Sequence, residues 1–261
     1  MKLLEGKRGL VTGVVNHRSI AWGIAKLFHE QGATLGFTYH REKKWVEKLA
    51  SSIDADFVEN CDVSDDEQIK RVCDLFGSRY ESVDFIIHAI AYADGNELAG
   101  GVINTSRQGF LHTMNVSAYS IIPFCQYSRP YFREGSSIIS LSYLGAERVC
   151  AGYNVLGIAK AALETTCKYL ASDLGGEQVR VNAISAGPIR TLAAFGLPNF
   201  KEMVEKRAGQ SPLKRNVTQE DVAKTALYLA SDLASGTTGE IIHVDAGYNI
   251  MGTWTEEVPC T

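Results

Sequence analysis

A tyrosine and a lysine seven positions apart, Tyr153 and Lys160, are the residues of this sequence with the clearest chemical potential. On a helix, seven residues turn the chain by about 700°, within about 20° of two full turns, so the two side chains share one face. An ammonium group beside a phenol favours the phenolate and lowers the tyrosine pKa from about 10. The pair could therefore donate a proton, or a strong hydrogen bond, to an oxygen that gains negative charge. A core tyrosine with an exposed lysine is the alternative interpretation.

Short β-like segments alternate with amphipathic helical segments along the whole chain, and these elements must position the pair. Strands are predicted over residues 8–13, 33–39, 55–61, 83–91, 136–142, 179–185 and 240–245. Helices are predicted over residues 19–32, 41–51, 64–80, 106–133, 153–174 and 218–231, the fourth as two segments that divide near residue 118. Two of the helices begin with capping sequences, Ser64 with Glu67 and Thr218 with Asp221.

Seven strands in this order predict an α/β fold, a single Rossmann-type doubly wound domain over residues 1–261. Its seven-stranded parallel sheet would be flanked by helices. The near-continuous apolar run from Val83 to Ala91 fits a sheet that is buried on both faces. Ligands of such sheets bind beyond the carboxyl ends of the strands. Because Tyr153 begins the helix after the fifth strand, we expect the reactive pair at that edge.

The turn after the first strand has features of a dinucleotide site, although it lacks a regular G-x-G-x-x-G sequence. Gly13 allows a tight turn. Ser19 and Ile20 place backbone N–H groups and a hydroxyl at a helix amino terminus, where a pyrophosphate binds favourably. An ordinary loop with Ser19 as a helix N-cap explains the same residues.

Two further strand ends bear on the choice of cofactor. Asp62 could accept a hydrogen bond from an adenine amino group while Val63 packs on the ring; alternatively, Asp62 only turns the chain into the next helix. The tip of the second strand has no acidic residue to bind a ribose 2′-hydroxyl. His40 and Arg41 could hold a 2′-phosphate there, or could form a solvated basic surface. These residues leave NAD and NADP both open.

The composition excludes several classes of protein. The chain has 261 residues, a formal net charge of −4 and a sequence pI of about 5.9, so it has no excess of basic residues to bind nucleic acid. The first residues lack the apolar segment of a signal peptide, and the longest apolar run is about half of a membrane span. The six cysteines have no metal-ligand spacing. We therefore expect reduced thiols, no metal site, no membrane insertion and a cytoplasmic location.

Four segments together resemble the enoyl-acyl-carrier-protein reductases, a divergent family of short-chain dehydrogenases/reductases. They are residues 19–21 (SIA), 142–148 (SYLGAER), 153–155 (YNV) and 180–194 (RVNAISAGPIRTLAA). Ordinary short-chain dehydrogenases have a lysine four residues after the tyrosine, where Gly157 stands here. The chain has instead the wider Tyr153–Lys160 spacing and the second tyrosine, Tyr143, ten residues upstream. The resemblance spans roughly residues 5–250.

The resemblance implies NADH-dependent reduction of the trans-2 double bond of enoyl thioesters on acyl carrier protein, the last reductive step of type II fatty acid elongation. It also implies a homotetramer. It implies Tyr143, Tyr153 and Lys160 as catalytic residues and Ala93, Tyr143 and Tyr153 as substrate contacts. The cofactor contacts that it implies are Gly13, Ser19, Ile20, His40, Asp62, Val63, Ile90, Lys160, Ile189, Arg190, Thr191, Leu192 and Ala193.

A segment at about residues 190–210 is implied to cover the substrate. Its Lys201, Lys206 and Arg207 could contact an acidic carrier protein or could form a solvated helix face. Two other activities fit related folds. A carbonyl reductase would have the shorter tyrosine–lysine spacing, and a sensor that binds a dinucleotide without turnover would tend to lose the tyrosine or the lysine.

Overall fold

A computed structural model describes residues 2–41, 43–189, 191 and 200–252, without the side chains of residues 200–203 and 205. The strands are β1 (Arg8–Val11), β2 (Thr34–Tyr39), β3 (Phe57–Asn60), β4 (Val83–His88), β5 (Phe132–Ser142), β6 (Arg180–Ala186) and β7 (Ile241–Val244). The α-helices are α1 (Ile20–Glu30), α2 (Lys43–Ser51), α3 (Asp66–Tyr80), α4 (Gly95–Leu98), α5 (Arg107–Met114), α6 (Ile121–Ser128), α7 (Asn154–Leu174), α8 (Phe200–Gln210) and α9 (Gln219–Ala230). No helix in these ranges is long and apolar enough to span a lipid bilayer.

The strands pair in the order β3-β2-β1-β4-β5-β6-β7, and all the pairs are parallel. This arrangement confirms the predicted doubly wound fold with a seven-stranded parallel sheet. The chain reverses its direction of travel across the sheet between β1 and β4. A crevice therefore forms at the carboxyl ends of these two strands.

Alternate residues of β4 pack on opposite faces of the sheet, which explains the near-continuous apolar sequence of this strand. Phe85 and Ile87 are fully buried in a core with residues of α1, α2 and α9. Ile86 is fully buried in a second core with residues of α3, α6 and α7. The apolar helix faces thus cover both sides of the sheet and hold the connecting loops at its edges.

The two predicted capping sequences have different outcomes. At α9 the Thr218 hydroxyl accepts from the N–H of Asp221 at 3.2 Å, and the Asp221 carboxylate accepts from the N–H of Thr218 at 2.8 Å, which confirms this capping box. At α3 the prediction is wrong by one residue, because Asp65 is the N-cap and its side chain accepts the cap hydrogen bond. The Ser64 hydroxyl donates instead to Asp62, at 2.7 Å, within the turn after β3.

The region predicted as helix over residues 106–133 differs most from the expectation. A π-helical turn, Asn115–Tyr119, separates α5 from α6. A short 3-10 turn, Arg129–Tyr131, then ends the helical region, and β5 begins at Phe132 and not at residue 136. Pro130 lies in that last turn and lacks the N–H group that a continuing helix would need.

Candidate active site

The carboxyl ends of the strands bring most of the predicted site residues to one edge of the sheet. The residues that closely follow a strand are Gly13, His40, Asp62, Val63, Ile90, Tyr143 and Ile189. Because the strands are parallel, all of these positions lie along the same edge. The candidate site is therefore a row of strand ends, with the crevice between β1 and β4 near its middle.

The loop after β1 has a position that favours glycine on two grounds. Gly13 has a φ angle of +80°, and a Cβ atom there would lie 2.0 Å from the carbonyl oxygen of Ala89. Ser19 is at the N-cap position of α1, but its hydroxyl accepts from two loop N–H groups, at 3.0 and 3.2 Å, and makes no cap hydrogen bond. The hydroxyl thus fixes the loop. The N–H groups of Trp22 and Gly23 donate to the carbonyl oxygen of Ser19, whereas those of Ile20 and Ala21 precede this first turn and can face an anion.

The ends of β2 and β3 bring His40 and Asp62 together. His40 Nε2 is 3.5 Å from Asp62 Oδ2, and both side chains are partly exposed. Burial raises the pKa of Asp62, but hydrogen bonds from Ser64 and the nearby His40 outweigh it and hold that pKa below its ordinary value. Asp62 thus turns the chain, as the simpler interpretation holds, and also presents a carboxylate at the edge. Val63 packs into the core beside it.

Lys160 is buried at the middle of the edge, with 4% of its surface exposed. Its ammonium group donates to the carbonyl oxygens of Leu141 and Ile90, at 2.6 and 3.2 Å, and so joins the ends of β5 and β4. Burial penalises the charged form and lowers the pKa of Lys160 to about 8, although nearby Cys167 and Glu164 oppose the shift. The side chain is therefore mostly charged at neutral pH.

The Tyr143 and Tyr153 rings meet edge to face, with their centroids 4.7 Å apart and their planes at 62°. The predicted effect of Lys160 on Tyr153 is wrong, because the pKa of Tyr153 is raised and not lowered. Burial is the main cause, and Tyr143, Cys150 and Glu164 add to it, while Lys160 donates to two carbonyl groups. The Tyr153 hydroxyl thus keeps its proton at neutral pH and can act as a fixed hydrogen-bond donor to an oxyanion.

A small apolar cluster adjoins Tyr153 on the side of the predicted substrate. Ala93 and Tyr153 pack against Leu98, Val155 and Leu156, which are buried. The predicted substrate contacts Ala93 and Tyr153 are therefore neighbours in space, although sixty positions separate them in the sequence.

The predicted cofactor contacts after β6 are described only in part. Ile189 is half-buried against the core, and the N–H of Thr191 donates to its carbonyl oxygen at 2.7 Å. Arg190, Leu192 and Ala193 lie outside the described residues. Within the predicted covering segment at about residues 190–210, the structure describes residue 191 and the helix α8.

A family model described as enoyl-(acyl carrier protein) reductase matches residues 13–249. The chain belongs to this reductase family. It is 47% identical to the enoyl-[acyl-carrier-protein] reductase [NADH] of Rickettsia felis, over 96% of this chain and 97% of that protein. The match includes both the turn after β1 and the helix that bears Lys160, which confirms the resemblance inferred from the sequence motifs.

Solved structures of the family have the same fold. The enoyl-[acyl-carrier-protein] reductase (NADH) of Aquifex aeolicus VF5 superposes with a TM-score of 0.93 at 49% identity, over 97% of this chain and all of that chain. The reductase of Anaplasma phagocytophilum in complex with NAD superposes with a TM-score of 0.93 at 47% identity, over 97% of each chain. The fold of the enoyl reductases therefore extends over nearly the whole of this chain.

One prediction on the covering segment of this reductase is wrong. Lys206 is exposed on α8, but Arg207 has only 8% of its surface exposed and is turned inwards. Its guanidinium carbon lies 5.3 Å from the ring centroid of Tyr143 and 4.7 Å from that of Tyr248. Arg207 therefore does not present its charge to a docking carrier protein. The side chain of Lys201 is outside the described residues.

Two buried titratable groups of this enoyl reductase, behind the strand edge, are not among the residues predicted from the sequence. Glu164 has 7% of its surface exposed and accepts a hydrogen bond from the Ser142 hydroxyl at 2.5 Å. His88 is fully buried, with Nε2 2.8 Å from the Ser120 hydroxyl, and burial lowers its pKa to about 3. Glu164 lies one helical turn after Lys160, so the four-residue spacing could have revealed it. For His88 the signal is a polar residue inside an apolar strand.

Proposed function

We propose that the chain reduces the trans-2 double bond of enoyl thioesters carried by acyl carrier protein, with NADH as the hydride donor. This reaction is the last reductive step of type II fatty acid elongation. The observation that carries the proposal is the contact of Tyr153 with Tyr143 at the strand edge where Lys160 binds the ends of β4 and β5. A carbonyl reductase of the ordinary spacing would need a lysine at position 157, which is Gly157.

The strand edge fits a dinucleotide. Its glycine turn and the amino-terminal N–H groups of α1 suit a pyrophosphate, and a mostly charged lysine lies at the neighbouring strand ends. We assign the pyrophosphate side to Gly13, Ser19 and Ile20. We assign the adenosine to His40, Asp62 and Val63. We assign the nicotinamide end to Lys160 and Ile189, and Thr191, Leu192 and Ala193 to the pyrophosphate. Ile90 and Arg190 are assigned as further cofactor contacts.

NADH, when bound, supplies the hydride that adds to C3 of the enoyl group. Negative charge then develops on the thioester oxygen as an enolate, and the Tyr153 hydroxyl donates a hydrogen bond to that oxygen. Because burial raises the pKa of Tyr153, the proton stays on the phenol and the donor is ready before the charge appears. Protonation at C2 completes the reduction.

Lys160 and Tyr143 support this donor in different ways. Lys160 is held by two carbonyl oxygens at the strand ends, where its remaining N–H group can bind the ribose hydroxyls of the cofactor. Tyr143 packs against the Tyr153 ring and lines the acyl site together with Ala93. The buried apolar side chains beside Ala93 suit the first carbons of an acyl chain.

We also propose that the chain is a single domain and that it assembles as a cytoplasmic homotetramer. Two large aromatic side chains that are exposed on the surface support an interface between copies: Tyr119 is 42% exposed and Tyr169, on α7, is 71% exposed. Phe124 is fully buried and belongs to the core. Lys206 remains exposed on α8 for contact with the acidic carrier protein.

The test is the rate of NADH oxidation with crotonyl thioester and with crotonyl-acyl carrier protein. We expect turnover with both substrates and a steep loss of turnover in Tyr153→Phe, with NADPH as the parallel cofactor control. Binding of NADH without turnover of any enoyl thioester would indicate a sensor. Turnover of a ketone in place of an enoyl thioester would indicate a carbonyl reductase.

A further inference from the structure

Arg207 is a buried cation beside one of the two active-site tyrosines. It projects from α8 with 8% of its surface exposed, and its guanidinium contacts three side chains. They are the Tyr143 ring at 5.3 Å, the Tyr248 ring at 4.7 Å and the Cys150 sulfur, which is 3.6 Å from Nη2. These contacts join α8 to the segments that follow β5 and β7.

The described side chains that contact this guanidinium are two phenol rings and a thiol. Burying a charged group is costly, so a buried cation that packs against an active-site tyrosine is a candidate for a functional role. Guanidinium stays protonated at any pH that the protein meets, so the charge is permanent. In the proposed reaction, the enolate oxygen is the negative charge that develops near Tyr143.

We propose that Arg207 is a positioning residue that acts through Tyr143: it holds the Tyr143 side chain beside Tyr153 and places a positive charge next to the Tyr143 phenol. This inference rests on the proposed enoyl reductase function and deepens it. The charge would make the Tyr143 hydroxyl a stronger hydrogen-bond donor beside the developing enolate, and Arg207 itself would not touch the substrate.

The electrostatic setting of Tyr143 agrees with this role. Burial raises the pKa of Tyr143, and Cys150 adds to the increase, whereas Arg207 acts in the opposite direction. Arg207 thus partly offsets the cost of negative charge on or near this phenol. A neutral residue at position 207 would leave the Tyr143 hydroxyl a weaker hydrogen-bond donor.

The test is a double-mutant cycle on the full chain with saturating NADH. We expect Arg207→Met to lower kcat with crotonyl thioester by about tenfold, less than the about 10²–10³-fold loss that follows removal of a direct oxyanion donor. In the Tyr143→Phe background the same substitution should change kcat by less than about twofold, because the effect passes through Tyr143. Arg207→Lys should restore part of kcat, since it keeps the charge but not the planar stack. The KM for crotonyl thioester should change little.

Two controls separate this role from others. Lys224→Met removes an exposed charge of α9 and should leave kcat with crotonyl thioester unchanged. Cys150→Ser keeps a polar group beside Arg207 and should change kcat much less than Arg207→Met does. Thermal unfolding and NADH affinity, measured for each variant, identify a loss of fold.

Three outcomes overturn the inference. An equal loss of kcat from Arg207→Met with and without the Tyr143 hydroxyl would mean that Arg207 does not act through Tyr143. A rise in KM for crotonyl-acyl carrier protein alone would assign Arg207 to carrier docking. If Arg207→Met does not fold and Arg207→Lys shows full activity in both backgrounds, the role is structural. A wild-type chain that does not turn over any enoyl thioester would overturn the proposed function itself.

Discussion

Gly157 of α7 lies so close to Gly145 that a Cβ atom on Gly157 would be 2.7 Å from the carbonyl oxygen of Gly145. Gly145 belongs to the short helical turn Leu144–Ala146, which directly follows Tyr143. A Cβ atom on Gly145 would in turn lie 2.4 Å from the Tyr153 ring. The missing side chains at both positions therefore allow the two tyrosines to meet. They also explain why a lysine cannot stand at position 157, where ordinary short-chain dehydrogenases have one.

Gly157→Ala should lower both stability and activity. The new methyl group meets backbone, which cannot move away as a flexible side chain could, so we expect a loss of about 1–3 kcal/mol in the free energy of unfolding. Gly175→Ala is the matched control, because Gly175 has a helical φ of −60° and no atom within 4 Å of its added Cβ. It should stabilise the chain by about 0.4–1 kcal/mol. Urea unfolding measures both, and equal free energies for the two variants would contradict the packing argument.

Tyr153→Phe should abolish most of the turnover and leave NADH binding intact. Removing a donor fixed at the site of developing charge costs about 10²–10³-fold in kcat. Tyr143→Phe should cost less, because its ring contact with Tyr153 survives. Tyr228→Phe removes a remote hydroxyl, which contacts Thr237 at 3.0 Å, and should not change kcat. The measurement is kcat with crotonyl thioester for the three variants. A larger loss of kcat from Tyr143→Phe than from Tyr153→Phe would make Tyr143 the oxyanion donor.

Lys160 should make NADH binding depend on pH above neutrality. Its pKa of about 8 means that the ammonium loses its proton as the pH rises past this value, so the KM for NADH should increase above about pH 8. In the unfolded chain this lysine keeps its proton up to its ordinary pKa of about 10.5. Its contribution to the free energy of unfolding therefore rises between about pH 8 and pH 10.5. Lys160→Met should remove the pH dependence of KM, whereas Lys168→Met, exposed on the same helix, should retain it. A KM that stays constant from pH 7 to about 9.5 in the wild type would contradict the role of this charge.

The fold could be predicted from the sequence because its signals are local. The apolar strands, the capping box at Thr218 and the spacing of Tyr153 and Lys160 each lie within a few turns of chain, and the structure confirms the elements that they predict. The cap of α3 was displaced to Asp65 because several adjacent polar residues compete for the same turn. The π-helical turn at Asn115–Tyr119 has no comparably clear local signal.

The site was less predictable because its electrostatics depend on contacts between distant segments. The spacing of Tyr153 and Lys160 predicted a shared face, but the ammonium group finds two carbonyl acceptors on strand ends, which no helical spacing can indicate. Arg207 looks like a solvated residue in sequence, and only the packing of α8 turns it towards Tyr143. The residue types were thus predictable, whereas their partners required the fold.

Asp62 should favour NADH over NADPH. Its carboxylate lies 3.5 Å from His40 at the adenosine end, so a 2′-phosphate that approached His40 and Arg41 would also meet this negative charge. Asp62→Asn keeps an acceptor for Ser64 but removes the charge, and it should lower the KM for NADPH several-fold. Glu67→Gln, on the exposed first turn of α3, is the control and should change neither KM. An unchanged ratio of kcat/KM for the two cofactors in Asp62→Asn would contradict this role.

Glu164 should set the pH at which Lys160 loses its charge. Burial raises the pKa of Glu164, and nearby Glu147 adds to this increase. The Ser142 hydroxyl, His243 and Lys168 oppose it. In its charged form Glu164 favours the ammonium of Lys160 one turn away. Glu164→Gln keeps the side-chain size and an acceptor for Ser142 but removes the charge. The pKa of Lys160 should therefore fall further, and the rise in KM for NADH should begin at lower pH than in the wild type.

The stability of the Glu164 variants separates the charge from the hydrogen bond. The pKa of Glu164 is higher in the folded chain than in the unfolded chain, so just above pH 4.5 the folded chain binds more protons. The contribution of this carboxyl group to the free energy of unfolding therefore falls as the pH rises through that range. Glu164→Gln removes this cost but also the attraction to the Lys160 ammonium, so it should change the unfolding temperature at neutral pH less than Glu164→Ala does. Glu164→Ala leaves the buried Ser142 hydroxyl without its acceptor and should cost about 1–3 kcal/mol. Asp173→Asn, exposed on the same helix, should alter neither the unfolding temperature nor the KM profile. A KM profile of Glu164→Gln that coincides with that of the wild type would mean that the carboxylate does not reach Lys160 electrostatically.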